Sequence, residues 1–282
     1  MSQSAREISV SSNPIPPQIQ LEKTYNAASD HYDHPALSFW DRFGRRTVER
    51  MSLIPGMKVL DVCCGIGGSA LPAAECVGPT GSVIAVDLAQ NLLNKGIRRA
   101  EELSLTNIEF RRADLEALPF SDQSFEAVIC VFGIFFVPDL SGAVRGLWRL
   151  VRPGGLLAIT VWGAKQFEPA DAKFWEAVRR EDPELLKTIK PWNQIVEPDP
   201  LRALLIECGV TEPDVLAEPG SHSLNSPDDW WTIIMGSGYR STVEALSPPI
   251  RERVRAATIE AVQQERIQEI RADVIYAIAR KR

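Results

Sequence analysis

The sequence predicts an α/β fold: a parallel sheet with helices on both faces. Two observations carry this. From residue 58 onward, short apolar runs alternate with longer amphipathic stretches, and strands buried on both faces read as such near-continuous hydrophobic runs. One of these runs, VLDVCCGIGG over Val59 to Gly68, opens directly into glycines. That is how a strand hands over to a helix whose N-terminus faces a ligand.

The elements follow in order. Residues 1–20 are rich in Ser, Pro and Gln and are expected to form a disordered tail. Residues 21–52 read as helical, broken near Pro35. Strands are expected at Lys58–Val62, Ser82–Asp87, Ile108–Asp114, Phe125–Gly133 and Leu156–Gly163. Helices are expected between them at Gly67–Cys76, Ala89–Leu103 and Asp139–Val151, the last stopped by Arg152-Pro153-Gly154-Gly155. Residues 53–163 therefore form one core unit. Residues 164–282 read as the rest of the sheet with helical insertions: helices over Pro169–Leu186, Pro200–Gly209, Pro227–Met235 and Pro249–Gln264, a strand within Asp214–Leu224, and a closing strand over Ile270–Lys281.

Composition narrows the class. The chain has 282 residues, 45% of them hydrophobic, and a formal net charge of −6. Its basic pairs (Arg45-Arg46, Arg98-Arg99, Arg111-Arg112, Arg179-Arg180) are scattered and offset by nearby acids, so they read as solvated helix faces. No nucleic-acid partner is expected, because that would call for a gathered basic surface. The five cysteines are odd in number and show no C-x-x-C spacing, which points to free thiols in a reducing compartment. The N-terminus has no apolar signal core, and the most apolar run, Ala127 to Pro138, is too short to span a bilayer. A cytoplasmic location and no membrane partner are the expectation.

The glycine loop has two readings. Gly65-Ile66-Gly67-Gly68-Ser69-Ala70 fits the dinucleotide fingerprint G-x-G-x-x-[GA], yet many nucleotide-binding sheets use such a loop. Asp61, four positions before the first glycine, discriminates between them. A pyrophosphate is repelled by a carboxylate so close, whereas a cationic ligand is attracted. Asp87 closes the second strand and can accept from both hydroxyls of a ribose, and Asp114 closes the third and can accept from an adenine amine. Three acids at consecutive strand ends suit an adenosine with a cationic amino-acid tail.

VLDVCCGIGG, VIAVDLAQNLL, RRADLEALPFSDQSFEAVIC and RLVRPGGLLAIT, in that order, resemble class I S-adenosylmethionine-dependent methyltransferases, and within them the ubiquinone/menaquinone biosynthesis methyltransferase family. The resemblance covers about Tyr25 to Gly163. It implies a Rossmann-like seven-stranded, mostly parallel sheet, last strand antiparallel, with helical lid additions, and S-adenosyl-L-methionine as cofactor. By the resemblance Asp61 and Gly65 to Gly67, Cys63 among them in the loop, line the methionine end; Asp87 and Leu88 hold the ribose; Asp114 and Leu115 meet the adenine; and the segment around Val131 and Phe132 closes the site. Residues 21–52 become an N-terminal lid over the cofactor, and Tyr25 and Tyr32 on it are expected to contact cofactor or acceptor.

The chemistry needs few side chains, because in-line methyl transfer rests largely on alignment. A general base is needed only for an acceptor that is a poorly ionised hydroxyl, an acidic carbon or a protonated amine. His31 and His34 are the candidates; His222, in SHSL on a possible strand beyond the fifth, is expected to be an exposed turn residue. Cys63 and Cys64 are adjacent and poorly placed to share a metal, so no metal site is expected, and Cys130 and Cys208 read as core. After the fourth strand, CVFGIFF stands where enzymes acting on nucleobase or glutamine nitrogens resemble one another in an Asn/Asp-Pro-Pro-Tyr/Phe motif. Phe132, Phe135 and Phe136 suggest an apolar wall, with at least one ring in the core. Of the aromatics of the C-terminal third, Trp162, Phe167, Phe174, Trp175, Trp192, Trp230, Trp231 and Tyr239, some are expected to pack the helices over the sheet and others to line the acceptor pocket; Trp230 and Trp231 cannot both face inward, so one of them is expected at a pocket or a subunit contact. The favoured reading is methyl transfer to oxygen, carbon or nitrogen of an aromatic, quinone-like or specialised small molecule. A nicotinamide-dependent oxidoreductase and a non-catalytic S-adenosylmethionine-binding protein are the alternatives, and a homodimer is left open.

Overall fold

The computed structural model describes residues 17–187 and 191–282; the tail expected over 1–20 lies outside them up to residue 16. Helix α1 (Pro17–Ala28) begins inside that expected tail. A single 3-10 turn at Pro35–Leu37 then leads into α2 (Phe39–Met51). The break falls at Pro35 because proline suits the first position of a helical turn and cannot continue a preceding one.

The βα alternation follows: β1 (Lys58–Val62), α3 (Ala70–Val77), β2 (Ser82–Asp87), α4 (Gln90–Glu102), β3 (Ile108–Arg112), β4 (Phe125–Val131), α5 (Leu140–Leu150) and β5 (Val151–Trp162). The remainder comprises α6 (Ala170–Glu181), α7 (Pro198–Glu207), β6 (Asp214–Glu218), β7 (Ser221–Ser223), α8 (Pro227–Met235), α9 (Arg240–Ala245), α10 (Pro248–Gln264), β8 (Glu269–Arg271) and β9 (Val274–Arg280). Seven strands form one sheet in the order β3-β2-β1-β4-β5-β9-β6. β1 to β5 pair in parallel, and β9 enters antiparallel between β5 and β6. β7 and β8 pair separately, antiparallel.

Several local expectations are corrected. Arg152-Pro153-Gly154-Gly155 does not separate α5 from its strand; β5 already begins at Val151, and the four residues form an irregularity where the register steps from Phe125↔Val151 to Ala127↔Leu156. A proline is tolerated in a strand at such a point, where no ladder bond is required of it. The stretch Asp214–Leu224 holds two strands, and the closing segment is likewise two, β8 and β9. Short α9 was not anticipated. His222 is not in an exposed turn. It is buried on β7, donates through Nε2 to the Ala36 carbonyl (2.8 Å) and sets its ring edge-on to Phe39. Burial lowers its pKa, since desolvation opposes the imidazolium.

Strands β1, β2, β4 and β5 are buried along most of their length, with helices packed on both faces. Among the described residues, no helix is long and apolar enough to cross a membrane.

Candidate functional site

The sheet order reverses between β1 and β4, whose neighbours lie on opposite sides. Ligands of such sheets sit outside the carboxyl ends of the strands at this point, and a cavity of about 990 Å³, open mouth included, lies there. Its floor is the loop from Cys63 to Ser69, one wall carries Asp87, Leu88, Asp114 and Leu115, and another carries Val131, Phe132 and Phe136. Leu21, Glu22 and Tyr25 of α1 complete it.

The loop turns sharply. Cys63, Gly65 and Gly67 all have positive φ, at 59°, 55° and 91°. Gly65 lies under the Tyr32 ring, 3.4 Å from where its Cβ would be; its N–H donates to Asp87 Oδ2 (2.9 Å), while Asp87 Oδ1 accepts from the Ala89 N–H (2.9 Å). The carboxylate at the end of β2 thus shapes the loop and still has a lone pair on each oxygen for a ligand. Burial raises the Asp87 pKa, against the lowering effect of these backbone donors. Gly67 faces away from the cavity, toward Leu71 and Phe110. Gly68 is where α2 comes close: a Cβ on Gly44 would stand 2.3 Å from the Gly68 carbonyl carbon.

Asp61 does not line the cavity. It is fully buried one side chain behind it, accepting at Oδ2 from the Ser69 hydroxyl (2.7 Å), while Oδ1 has no partner among the described residues. Ser69 itself lines the cavity. Burial pushes the Asp61 pKa up to about 7. Asp114 sits just beyond β3, and its Oδ1 caps the next turn by accepting from the Glu116 N–H (3.0 Å).

The two tyrosines of the N-terminal segment meet at the cavity, ring centroids 6.4 Å apart. Tyr25 packs against Phe136, and Tyr32 stacks flat on Trp40. Neither phenol has a hydrogen-bond partner among the described residues, and burial raises both pKa values, so both remain protonated donors at neutral pH. Cys63 lines the cavity beside Cys130; the neighbouring thiol and then burial raise its pKa. All five cysteines are free, and no group of residues suited to a metal ion occurs among the described residues.

The histidines are the main departure from expectation. His31 pairs with Asp30 (2.6 Å) outside the cavity, and His34 caps the turn at Pro35, accepting from the Ala36 N–H at Nδ1 (3.1 Å). Neither lines the cavity, so the geometry gives neither a place as a base. Of the C-terminal aromatics, those expected to pack do so, and none of the described ones lines the cavity. Trp162, Phe167, Phe174, Trp230 and Tyr239 pack on one another as core, and every cavity-lining residue among those described lies between positions 21 and 137. Phe135 is the core ring of its trio, and the Trp192 side chain lies outside the description. Trp40, Gly44 and Ser69 line the cavity but were not singled out from sequence. Gly44 carried a usable signal, an isolated glycine inside a helical pattern, which implies close packing.

A model of the ubiE/COQ5 methyltransferase family matches residues 19–175. A demethylmenaquinone methyltransferase of Lactococcus lactis is 33% identical over 140 residues, covering 48% of this chain and 56% of its own, so the match spans about half of that relative. Among solved structures, the YcgJ protein of Bacillus subtilis superposes with a TM-score of 0.57 at 17% identity, covering 86% of this chain and 99% of its own. A phosphoethanolamine N-methyltransferase 2 of Haemonchus contortus, solved with S-adenosyl-L-methionine, gives 0.59 at 16% identity, covering 95% of this chain and 60% of its own. These two likenesses speak to the fold. The family match takes in both tyrosines, the glycine loop and all three strand-end acids, and on it the chain belongs to the ubiE/COQ5 methyltransferase family.

Proposed function

We propose that the chain transfers a methyl group from S-adenosylmethionine to a small aromatic, quinone-like acceptor. The observation that carries the reading is the charge of the cavity wall. Asp87, Asp114 and Glu116 line it, with Glu22 paired to Arg112 at its edge (2.8 Å), and among the described residues no lysine, arginine or histidine lines it. A wall with carboxylates and no cation favours a positively charged ligand and disfavours a diphosphate. The residues fit the cofactor: Asp87 for the ribose diol, Asp114 for the adenine amine, and the Ser69–Asp61 pair for the ammonium, with Asp61 Oδ1 an unsatisfied buried acceptor.

Bound there, the cofactor supplies a methyl group already activated by its sulfonium. The chain's own part is to align the reactants and exclude water. Tyr25, Phe136, Val137 and Leu21 offer an apolar face for a flat acceptor ring beside α1. Tyr25, held protonated by burial, is suited to donate a hydrogen bond to an acceptor oxygen and not to remove a proton. The name of the Lactococcus relative supports a quinone-like acceptor. Residues 21–52 serve as the lid and 53–163 as the cofactor-binding core.

Calorimetric titration with S-adenosylmethionine, S-adenosylhomocysteine and NADH tests the reading. Binding of the first two in roughly the micromolar range and none of the third is expected. Asp87→Ala is expected to weaken binding of both by at least about tenfold, since it removes a charge-assisted acceptor pair. Unchanged affinity in that variant would sink the assignment.

A further inference from the structure

Arg98-Arg99 reads from sequence as a solvated pair, but Arg99 is engaged beside the cavity, on the outer side of the glycine loop. Its guanidinium makes a forked pair with Asp41 of α2, Nη2 to Oδ2 at 2.7 Å and Nη1 to Oδ1 at 3.0 Å. The same Nη1 donates to the carbonyl of Ile66 (3.1 Å). One side chain on α4 therefore joins α2 and the glycine loop.

The position of that bond matters. Ile66 is the apex of the loop, between two glycines of positive φ. Glycine-rich backbone loses more freedom on ordering than any other, so it needs anchors from outside. At its start, Asp87 holds the Gly65 N–H, and at its end Asp61 holds Ser69. Arg99 holds the apex. Asp41 in turn follows Trp40, whose carbonyl stands 2.9 Å from where a Cβ on Gly68 would be, and both Trp40 and Ile66 line the cavity.

We infer that the Arg99–Asp41 fork is a positioning clasp: it fixes the Ile66 apex and Trp40 relative to each other, and so preforms the cofactor-binding loop. Arg99 acts through Ile66 and Trp40 without itself lining the cavity. The inference rests on the cofactor reading proposed above.

The test combines two measurements on the full chain: calorimetric affinity for S-adenosylhomocysteine, and amide hydrogen exchange of the ligand-free protein. Wild type, Arg99→Ala, Arg99→Lys, Asp41→Asn and the double variant Arg99→Ala/Asp41→Asn are compared. Arg253→Ala, which breaks a surface pair with Glu181 (2.6 Å), is the control. Arg99→Ala is expected to weaken binding roughly tenfold, Asp41→Asn less, and the double variant no further than Arg99→Ala, since Asp41 acts through Arg99. Arg99→Lys is expected to fall between, because an ammonium cannot reproduce the fork. Exchange at Gly67 and Gly68 should quicken several-fold in Arg99→Ala while the β1 and β4 amides keep wild-type protection. Binding by wild type with equal affinity in Arg99→Lys and Asp41→Asn overturns the clasp alone. Quickened exchange throughout the sheet overturns it too, because that is general destabilisation. No binding by wild type overturns the cofactor reading, and the clasp with it.

Discussion

Asp61 carries the sharpest consequence at the scale of single residues. A carboxyl shut in behind Ser69, with one oxygen unpaired, resists ionisation, and its pKa of about 7 in the folded chain lies above the ordinary 3.8. A raised carboxyl pKa contributes stability that is full below the unfolded value, near pH 4, and is lost as pH rises through about 7. Asp61→Asn should therefore raise the melting temperature of the ligand-free protein at pH 8 and change it much less at pH 4, measured by thermal unfolding across pH. The same ionisation favours a cationic ligand, so wild-type affinity for S-adenosylmethionine should rise between pH 6 and 8, and in Asp61→Asn that rise should flatten. A wild-type pH profile in the variant would remove Asp61 from recognition. Sequence placed Asp61 at the right strand end, but not its depth, because depth depends on Ser69 folding back across it.

At the scale of elements, the contact between α2 and the glycine loop decides the cavity's shape. Gly44 lets the helix approach until its Cβ position would overlap Gly68. Gly44→Ala forces two backbones apart where no side chain can yield. It should cost about 1–3 kcal/mol by denaturant unfolding and weaken S-adenosylhomocysteine binding, because Trp40 and the loop shift together. Retained affinity with lost stability would make the contact purely structural. Helix α1 roofs the other side of the cavity and is tied to α4 through Asn26, which accepts from the Asn91 N–H (2.9 Å), and to β3 through Glu22 and Arg112 (2.8 Å). The helices, strands and turns were largely legible from periodicity and punctuation, to within a few residues at their ends. Which helix meets which loop was not, since Gly44 and Gly68 carry no mark of one another.

Across the whole molecule, the cavity lining and the C-terminal aromatic cluster come from different parts of the chain and meet where Phe132 stacks on Trp162 (4.1 Å). The cavity draws on residues 21–137, and the aromatic cluster of the C-terminal third packs beneath α6 and α8–α10. Trp230, wholly buried there, should cost about 3–5 kcal/mol when changed to alanine. At a temperature where the variant stays folded, its affinity for S-adenosylhomocysteine should match wild type by calorimetry. A large loss of affinity would mean that this third of the chain shapes the cavity after all. The two halves are joined by β9, which inserts antiparallel beside β5, and by His222, which bonds Ala36 across the sequence.

The sheet, the turning loop and the three acids at its strand ends are legible in the residues alone. Each is written in local patterns: apolar runs of strand length, glycines where φ turns positive, and carboxylates at fixed offsets from them. The same residues also carry the family, through motifs in register. Which groups line the cavity depends on the packing of distant segments. That packing turned His34 into the cap of a helical turn, sent the C-terminal tryptophans into the core, set Asp61 behind Ser69 and brought Arg99 onto Ile66. Those outcomes depend on packing between segments far apart in the chain, where the burial of one side chain is set by the shape of another. No local pattern encodes that relation.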